Sequence, residues 1–456
     1  MSSQRTPYTR FLLPVVLALL GAIAAAIIIP AEHAAVKYQF IGFPDSDLLT
    51  HKGRPFVLGV IFLLPALGGL LYSLADTMDR YLVRQFSGIF FICFSALFSI
   101  WLLFDLNDNL SDFRDSKNTL LTIVSFYSHR APAIILFLMP YALLLSLLYC
   151  LGKLSSDREI IAMIQSGRGV ARVTRPLIIT GVFFSLLCMG LNYQWAPIAE
   201  SQKDNILNAA RGRPVYEANN VMFREPHTHR MWMVGIFPKN FEKGEPLRSI
   251  EVTTTDEKQS IVQRLTATSA VWKRKERLWI FENANVCTYS SDGVPTFKKH
   301  TEPLVISGWS ETPLQLIKPG LSAEYLGVPG LVTWLKSRAT LGFEVTAAPY
   351  RTHLHYRIAL PFACLVTILL ATPLSIHFSR RGPGSGVFLA VVLSAFMLLI
   401  SNIALAFGES GKIPPYLAAW LPNLLFSLLG LYFYHRRATG RPIYQSLLRL
   451  LPVNGN

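Results

Sequence analysis

Residues 155–167 read SSDREIIAMIQSG. The stretch is charged at one end, apolar in the middle and closed by glycine. It is too short to cross a bilayer, which takes roughly 20 apolar residues in a helix. Apolar runs of spanning length flank it at about 132–152 and 176–196. A short two-sided helix held between two spans marks an α-helical multi-span membrane protein that exposes this segment on one membrane face.

Further runs of spanning length lie at about 11–29, 56–75, 87–105, 357–378, 385–408 and 414–435. Basic residues orient all eight. Arg5 and Arg10 precede the first run, and Arg80 and Arg84 follow the second. Lys153, Arg158, Arg168, Arg172 and Arg175 surround the short helix, Arg380 and Arg381 separate the sixth run from the seventh, and Arg436, Arg437 and Arg441 follow the last. Placing these clusters inside satisfies the positive-inside rule and puts both termini in the cytoplasm. Loop 105–131, with Asp105, Asp108, Asp112 and Asp115, then faces outward. The first run has the basic start of a signal peptide but is longer than an h-region, so it is read as a retained span.

The composition agrees, with 51% of residues hydrophobic and only 16% charged. The net charge of +15 does not call for nucleic acid, because the basic residues sit in short loops beside apolar runs. Cys93, Cys150, Cys188 and Cys364 fall inside those runs, and Cys287 stands alone in the polar middle, so no internal disulfide is expected there. No cofactor or metal is expected either. HTH (227–229) and HLH (353–355) lack a third ligand at recognisable spacing, and no nucleophile motif occurs.

Residues 200–322 differ in kind. They are rich in charge and alternate in the manner of strands. QRLTATSAVWK (263–273) and RLWIFENANVCTY (277–289) read as neighbouring strands joined by a turn at Arg274–Glu276. SSDG (290–293) is a second turn signal, and RSIEVTTT (248–255) and MWMVGIF (231–237) are further strands. This predicts an inserted extracytoplasmic β domain, a sandwich or open roll, followed by an amphipathic helix at LVTWLKSRATLG (331–342).

In the opening stretch, Ser156 and Glu159 have the S-x-x-E spacing of a capping box, and Gly167 suits the stop. Ile160, Ile161 and Ile164 share an apolar face. A helix this short needs something to pack against, either the lipid surface or a partner protein.

The order of parts from residue 79 onward resembles the LptF/LptG (YjgP/YjgQ) lipopolysaccharide-export permease family. DRYLVRQF (79–86) is similar to the family's opening into its first core span, and LGKLSSDREIIAMIQSG (151–167) to the end of the second with the coupling helix. QWAPIAE (194–200), LHYRIALPF (354–362), TPLSIHFSRRG (372–382) and IPPYLAAWLPNLLF (413–426) resemble, in order, the exit of the third span, the start and end of the fourth, and the sixth. RYLVRQF and LHYRIALP lean towards the F type.

The resemblance implies a six-span core with a periplasmic β-jellyroll, in a bacterial inner-membrane ABC transporter that extracts lipopolysaccharide. The implied partners are a cytoplasmic ABC ATPase dimer, a second homologous permease subunit and a single-span periplasmic jellyroll protein. Glu159 would contact the ATPase, with Ile160, Met163 and Ile164 packing beside it and Gly167 ending the helix. The chain itself has no G-x-x-x-x-G-K-[ST] loop, so the energy would come from another subunit. Within the jellyroll, Leu265, Ala267, Ser269 and Val271 on one strand face, with Trp279 and Phe281 near them, would meet acyl chains or else form ordinary core. Asp105, with Asp108 beyond it, falls where G-type members carry a lysine near the lipid path, and an acid there would repel lipid A phosphates. Arg114, Lys117 or Arg130 would then substitute, or else be solvated loop charges, the reading favoured from sequence.

The expected organisation is an N-terminal extension with two extra spans (1–78), core spans one to three (79–199) with the coupling helix at 156–167, the β domain (200–322), a linker helix with core spans four to six (323–437), and a cytoplasmic tail (438–456). A secondary transporter is disfavoured, because the spans are nearly free of ionisable residues and only Asn402 and Asn423 stand out as polar. A signalling scaffold would carry its external domain earlier in the chain.

Overall fold

The computed structural model describes residues 11–39, 45–114, 118–211, 216–225, 228–239, 241, 244–257, 260–289, 294–337, 347–376 and 384–439. The SSDG turn, the Arg380–Arg381 pair, the end of the linker-helix stretch and the tail beyond 439 lie outside these residues.

Helices α1 (Leu12–Gln39), α2 (Asp45–His51) and α3 (Gly53–Leu74) form the N-terminal pair with its connecting turn. The core opens with α4 (Thr77–Asp108), α5 (Leu110–Arg114), α6 (Thr119–Ser156), the short α7 (Glu159–Gln165), α8 (Val170–Tyr193) and α9 (Trp195–Ala210). Strands β1 (Tyr216–Glu225), β2 (Arg230–Pro238), β3 (Leu247–Thr255), β4 (Ile261–Lys273), β5 (Leu278–Glu282), β6 (Asn285–Tyr289), β7 (Pro295–Lys299) and β8 (Leu304–Ser307) follow. The chain returns through α10 (Pro313–Ile317) and α11 (Val328–Ser337) to α12 (Ala348–Ala359), α13 (Ala363–Ser375), α14 (Gly384–Glu409) and α15 (Pro415–Ala438). Eight spans among the described residues are long and apolar enough to cross a membrane, with α12 and α13 together making the sixth.

Pro361 interrupts that sixth span with a single 3-10 turn, Leu360–Phe362. Proline has no N–H for the carbonyl four residues back, which here belongs to Arg357. Asn192 of α8 donates to that carbonyl at 2.7 Å, and Asn423 of α15 donates to the carbonyl of Ala359 at 2.6 Å. In a bilayer no water can make these bonds, so side chains of neighbouring helices must. The break is thereby tied to the third and last core spans.

The β domain is one antiparallel sheet in the order β1-β2-β3-β4-β5-β8, with β6 pairing the first half of β4 and β7 pairing β6. RLWIFENANVCTY is therefore two strands, not one. The break belongs to a line across the sheet. Register pairs on either side place Asn220, Gly235, Ser249, Thr268 and Asn283 opposite one another on β1 to β4 and the β5–β6 junction. Asn220 (φ 51°), Ser249 (φ 55°) and Asn283 (φ 51°) are left-handed. Gly235 faces Ser249 so closely that an added Cβ would stand 2.8 Å from the serine Cβ.

Across this line the inside–outside alternation inverts. On one side Val221, Phe223, Trp232, Val234, Ile250, Val252, Leu265 and Ala267 are buried, and on the other Ala218, Phe237, Leu247, Ala270 and Trp272. The sheet creases here, and both halves turn an apolar side to one interior. Strict alternation along β4 predicted Leu265, Ala267, Ser269 and Val271 on a common face. The crease corrects this: Ser269 and Val271 fall off that interior and Ala270 and Trp272 replace them.

Candidate functional site

The short helix does not form the expected capping box. Ser156 is the last residue of α6, and the residue preceding α7 is Arg158, in the left-handed region (φ 60°, ψ 12°) with no side-chain cap bond. That backbone reverses the chain within two residues of the end of α6. The Glu159 carboxylate instead accepts a 2.8 Å hydrogen bond from the phenol of Tyr81, one turn into α4. At the other end Gly167 sits at φ 86° and its N–H bonds the Ile164 carbonyl, a left-handed stop that a side chain would strain.

Ile160 and Met163 are buried in the core cluster that also holds Leu82, Leu151 and Val170, and Ile164 packs against it half-buried. The apolar face of α7 thus belongs to the chain's own core. Ala162, Gln165 and Ser166 form the exposed face, flanked by Asp157 and Arg158. Above this base a groove of ≈ 570 Å³ opens between α4 and α6, lined by Cys93, Leu145 and Tyr149 with Lys153 at one end.

At the opposite end of α4, Asp105 is not a lone acid. Arg130 of α6 donates to it at 2.8 Å and the Tyr127 phenol at 3.0 Å. The same guanidinium lies 3.4 Å from Glu200 of α9 and 5.3 Å from the ring centroids of Trp101 and Phe126. The arginine side chain is nearly fully buried, with both rings within cation–π distance. Asp105 is charge-compensated, and Arg130 is held rather than free. Asp108 and Arg114 are exposed, Asp112 pairs with Arg211, and Lys117 lies outside the described residues.

Inside the β domain Trp279 and Phe281 are fully buried, stack on each other and cluster with Trp232 and Trp309 through tilted and edge-on contacts, at centroid distances of 5.0–6.1 Å. Trp279 also donates to the Glu311 carbonyl at 2.9 Å, and the Glu311 carboxylate is clamped by Arg230 at 2.6 and 3.0 Å. Leu265 and Ala267 fill the same interior. These four expected lipid contacts lie within packed aromatic core, to which Leu316 and Ile317 of α10 also contribute.

The N-terminal pair is joined to both other parts. In the membrane α3 packs on α8, where a Cβ on Gly190 would stand 2.5 Å from Ile61. Outside it, Thr50 of α2 bonds Thr333 of α11 at 2.6 Å, while Val36 and Leu48 pack on Leu314 of α10. The residues of this extension gave no sign of such contacts, because their partners lie hundreds of positions away. The Tyr81–Glu159 bond was missed for the same reason.

The profile described as lipopolysaccharide export system permease LptF/LptG matches residues 80–436, starting at α4 and leaving the extra pair outside. The permease protein LptF of Escherichia coli is 22% identical over 316 residues, covering 68% of this chain and 81% of the relative, and LptF of Shigella flexneri gives the same figures. Escherichia coli LptG is 22% identical over 317 residues, covering 66% and 81%. With equal identity to both types, a core of six spans and a β domain set between the third and fourth, the chain belongs to the LptF/LptG family.

Proposed function

We propose that this chain is one of two related permease subunits of a lipopolysaccharide exporter in the inner membrane, driven by a separate cytoplasmic ATPase dimer. As a family member with eight candidate spans it is a multi-pass permease of lipopolysaccharide export. The observation that carries the rest is α7, a helix of seven residues backed by core and showing a polar outer face between two spans. A rigid knob on a membrane face is what a force-delivering partner can grip.

In this reading both termini and α7 are cytoplasmic, in keeping with the basic residues around α7. Glu159, Ala162 and Gln165 meet the ATPase, and Ile160 and Met163 support them from beneath. Closure of the ATPases moves α7 together with the spans it joins and expels lipid outward past the Asp105–Arg130 pair. Acyl chains then pass into the β domain and on to a single-span jellyroll partner. Entry to the interior requires the aromatic cluster of Trp232, Trp279 and Phe281 to yield.

Tagged purification from native membranes tests the coupling. The wild type should bring down a cytoplasmic ATPase, and Glu159→Lys should lose it while the protein stays folded. An ATPase recovered equally with both would refute the assignment of α7.

A further inference from the structure

The docking glutamate is already engaged within its own chain. Its partner, Tyr81, sits at the base of α4, and the two residues are 78 positions apart. The phenol is the donor and the carboxylate the acceptor. A carboxylate has about four lone-pair sites, so an external cation can bind Glu159 without displacing Tyr81. The Tyr81 ring is packed against the core cluster beside Leu82 and Phe86, so the phenol is attached to the body of α4 and not to a loose end. Elsewhere the spanning length of α4 is mostly exposed, unlike α6, which is held along most of its length. At its lower end Leu82, Phe86 and Phe90 bury α4 against the core of α6 and α8, and the Tyr81 phenol adds a hydrogen bond to α7.

From this geometry we infer that Tyr81 is a positioning residue that transmits movement of the ATPase-docking helix to the first core span. The inference rests on the coupling role proposed for α7 and adds the route by which force leaves it. When α7 is displaced, α6 and α8 follow through its backbone connections. The phenol–carboxylate bond makes α4 follow as well, so both walls of the groove between α4 and α6 move in step with the ATPase. Without the hydroxyl, α7 would still dock and α4 would lag.

Tyr81→Phe removes only the hydroxyl and keeps the packed ring. In the complex purified through this chain and reconstituted in proteoliposomes, ATPase recovery and ATP hydrolysis should stay within about twofold of wild type. Lipopolysaccharide released per ATP hydrolysed should fall by roughly tenfold, the scale set by one charge-assisted hydrogen bond. A merely structural bond would lower stability and both rates together, leaving the ratio unchanged. An unchanged ratio overturns the inference. Glu159→Gln keeps an acceptor for Tyr81 but removes the charge offered to the ATPase. Its loss of ATPase recovery supports the docking reading, whereas full recovery sinks that reading and this inference with it. An altered ratio in Tyr81→Phe with docking intact can arise only from the link itself.

Discussion

Asn192 donates its side-chain amide to the backbone carbonyl of Arg357 at 2.7 Å, the acceptor that Pro361 leaves without its helical partner. The bond joins the third core span to a break in the fourth, at a position where Asn192 is fully buried. An otherwise costly proline is tolerated because a second helix supplies the missing donor.

Replacing Asn192 with Leu should therefore cost about 1–3 kcal/mol, the penalty of a buried unsatisfied carbonyl. In a Pro361→Ala background the N–H returns, and the same substitution should cost clearly less. Thermal unfolding of the four proteins in one detergent gives the cycle, and equal costs in both backgrounds would refute the pairing.

The Asp105–Arg130 pair makes an asymmetric prediction. Arg130→Leu leaves the largely buried Asp105 carboxylate with the Tyr127 phenol as its remaining donor and should destabilise by about 3–5 kcal/mol, while the double variant Arg130→Leu/Asp105→Leu should recover much of that loss. Asp105→Lys would place a second cation beside the buried Arg130 and should lower the melting temperature. A more stable Asp105→Lys protein would show that the pair does not hold in the membrane.

At the crease of the β sheet, Ser249 is left-handed at φ 55°. Ser249→Gly should be neutral or slightly stabilising, and Ser249→Val should cost about 1–3 kcal/mol from backbone strain. Because the crease sets which residues face inward, Ser249→Val should also raise the exposure of Trp232 and Trp279, read by a red shift of tryptophan emission.

The N-terminal pair should act as a tie between the membrane core and the base of the β domain. With Thr50 and Thr333 replaced by cysteine, a disulfide should form under oxidising conditions, because their hydroxyl oxygens are 2.6 Å apart. Gly190→Leu forces α3 off α8 and should reduce that cross-link several-fold. Mass spectrometry of the bridged peptide reads both results, and a cross-link insensitive to Gly190→Leu would show that α2 is held by α10 and α11 without the α3–α8 packing.

The sequence by itself determined the spans, the inserted strands and the short glycine-stopped helix. Each follows from local rules: twenty apolar residues must hide their backbone in a helix, and alternating residues make a two-faced strand. Gly167 was legible as a stop because left-handed backbone selects glycine locally. Where several local solutions compete, tertiary structure decided. Ser156 and Glu159 had the spacing of a capping box, yet Tyr81 takes the carboxylate from a distant helix. Alternation along β4 held only as far as Ala267, because the crease needs left-handed residues on neighbouring strands. Asp105 read as a repelling acid until Arg130 was found beside it. Partners 25 to 283 positions apart in sequence leave no periodic trace, since their contact depends on how helices and strands pack and not on the residues beside them.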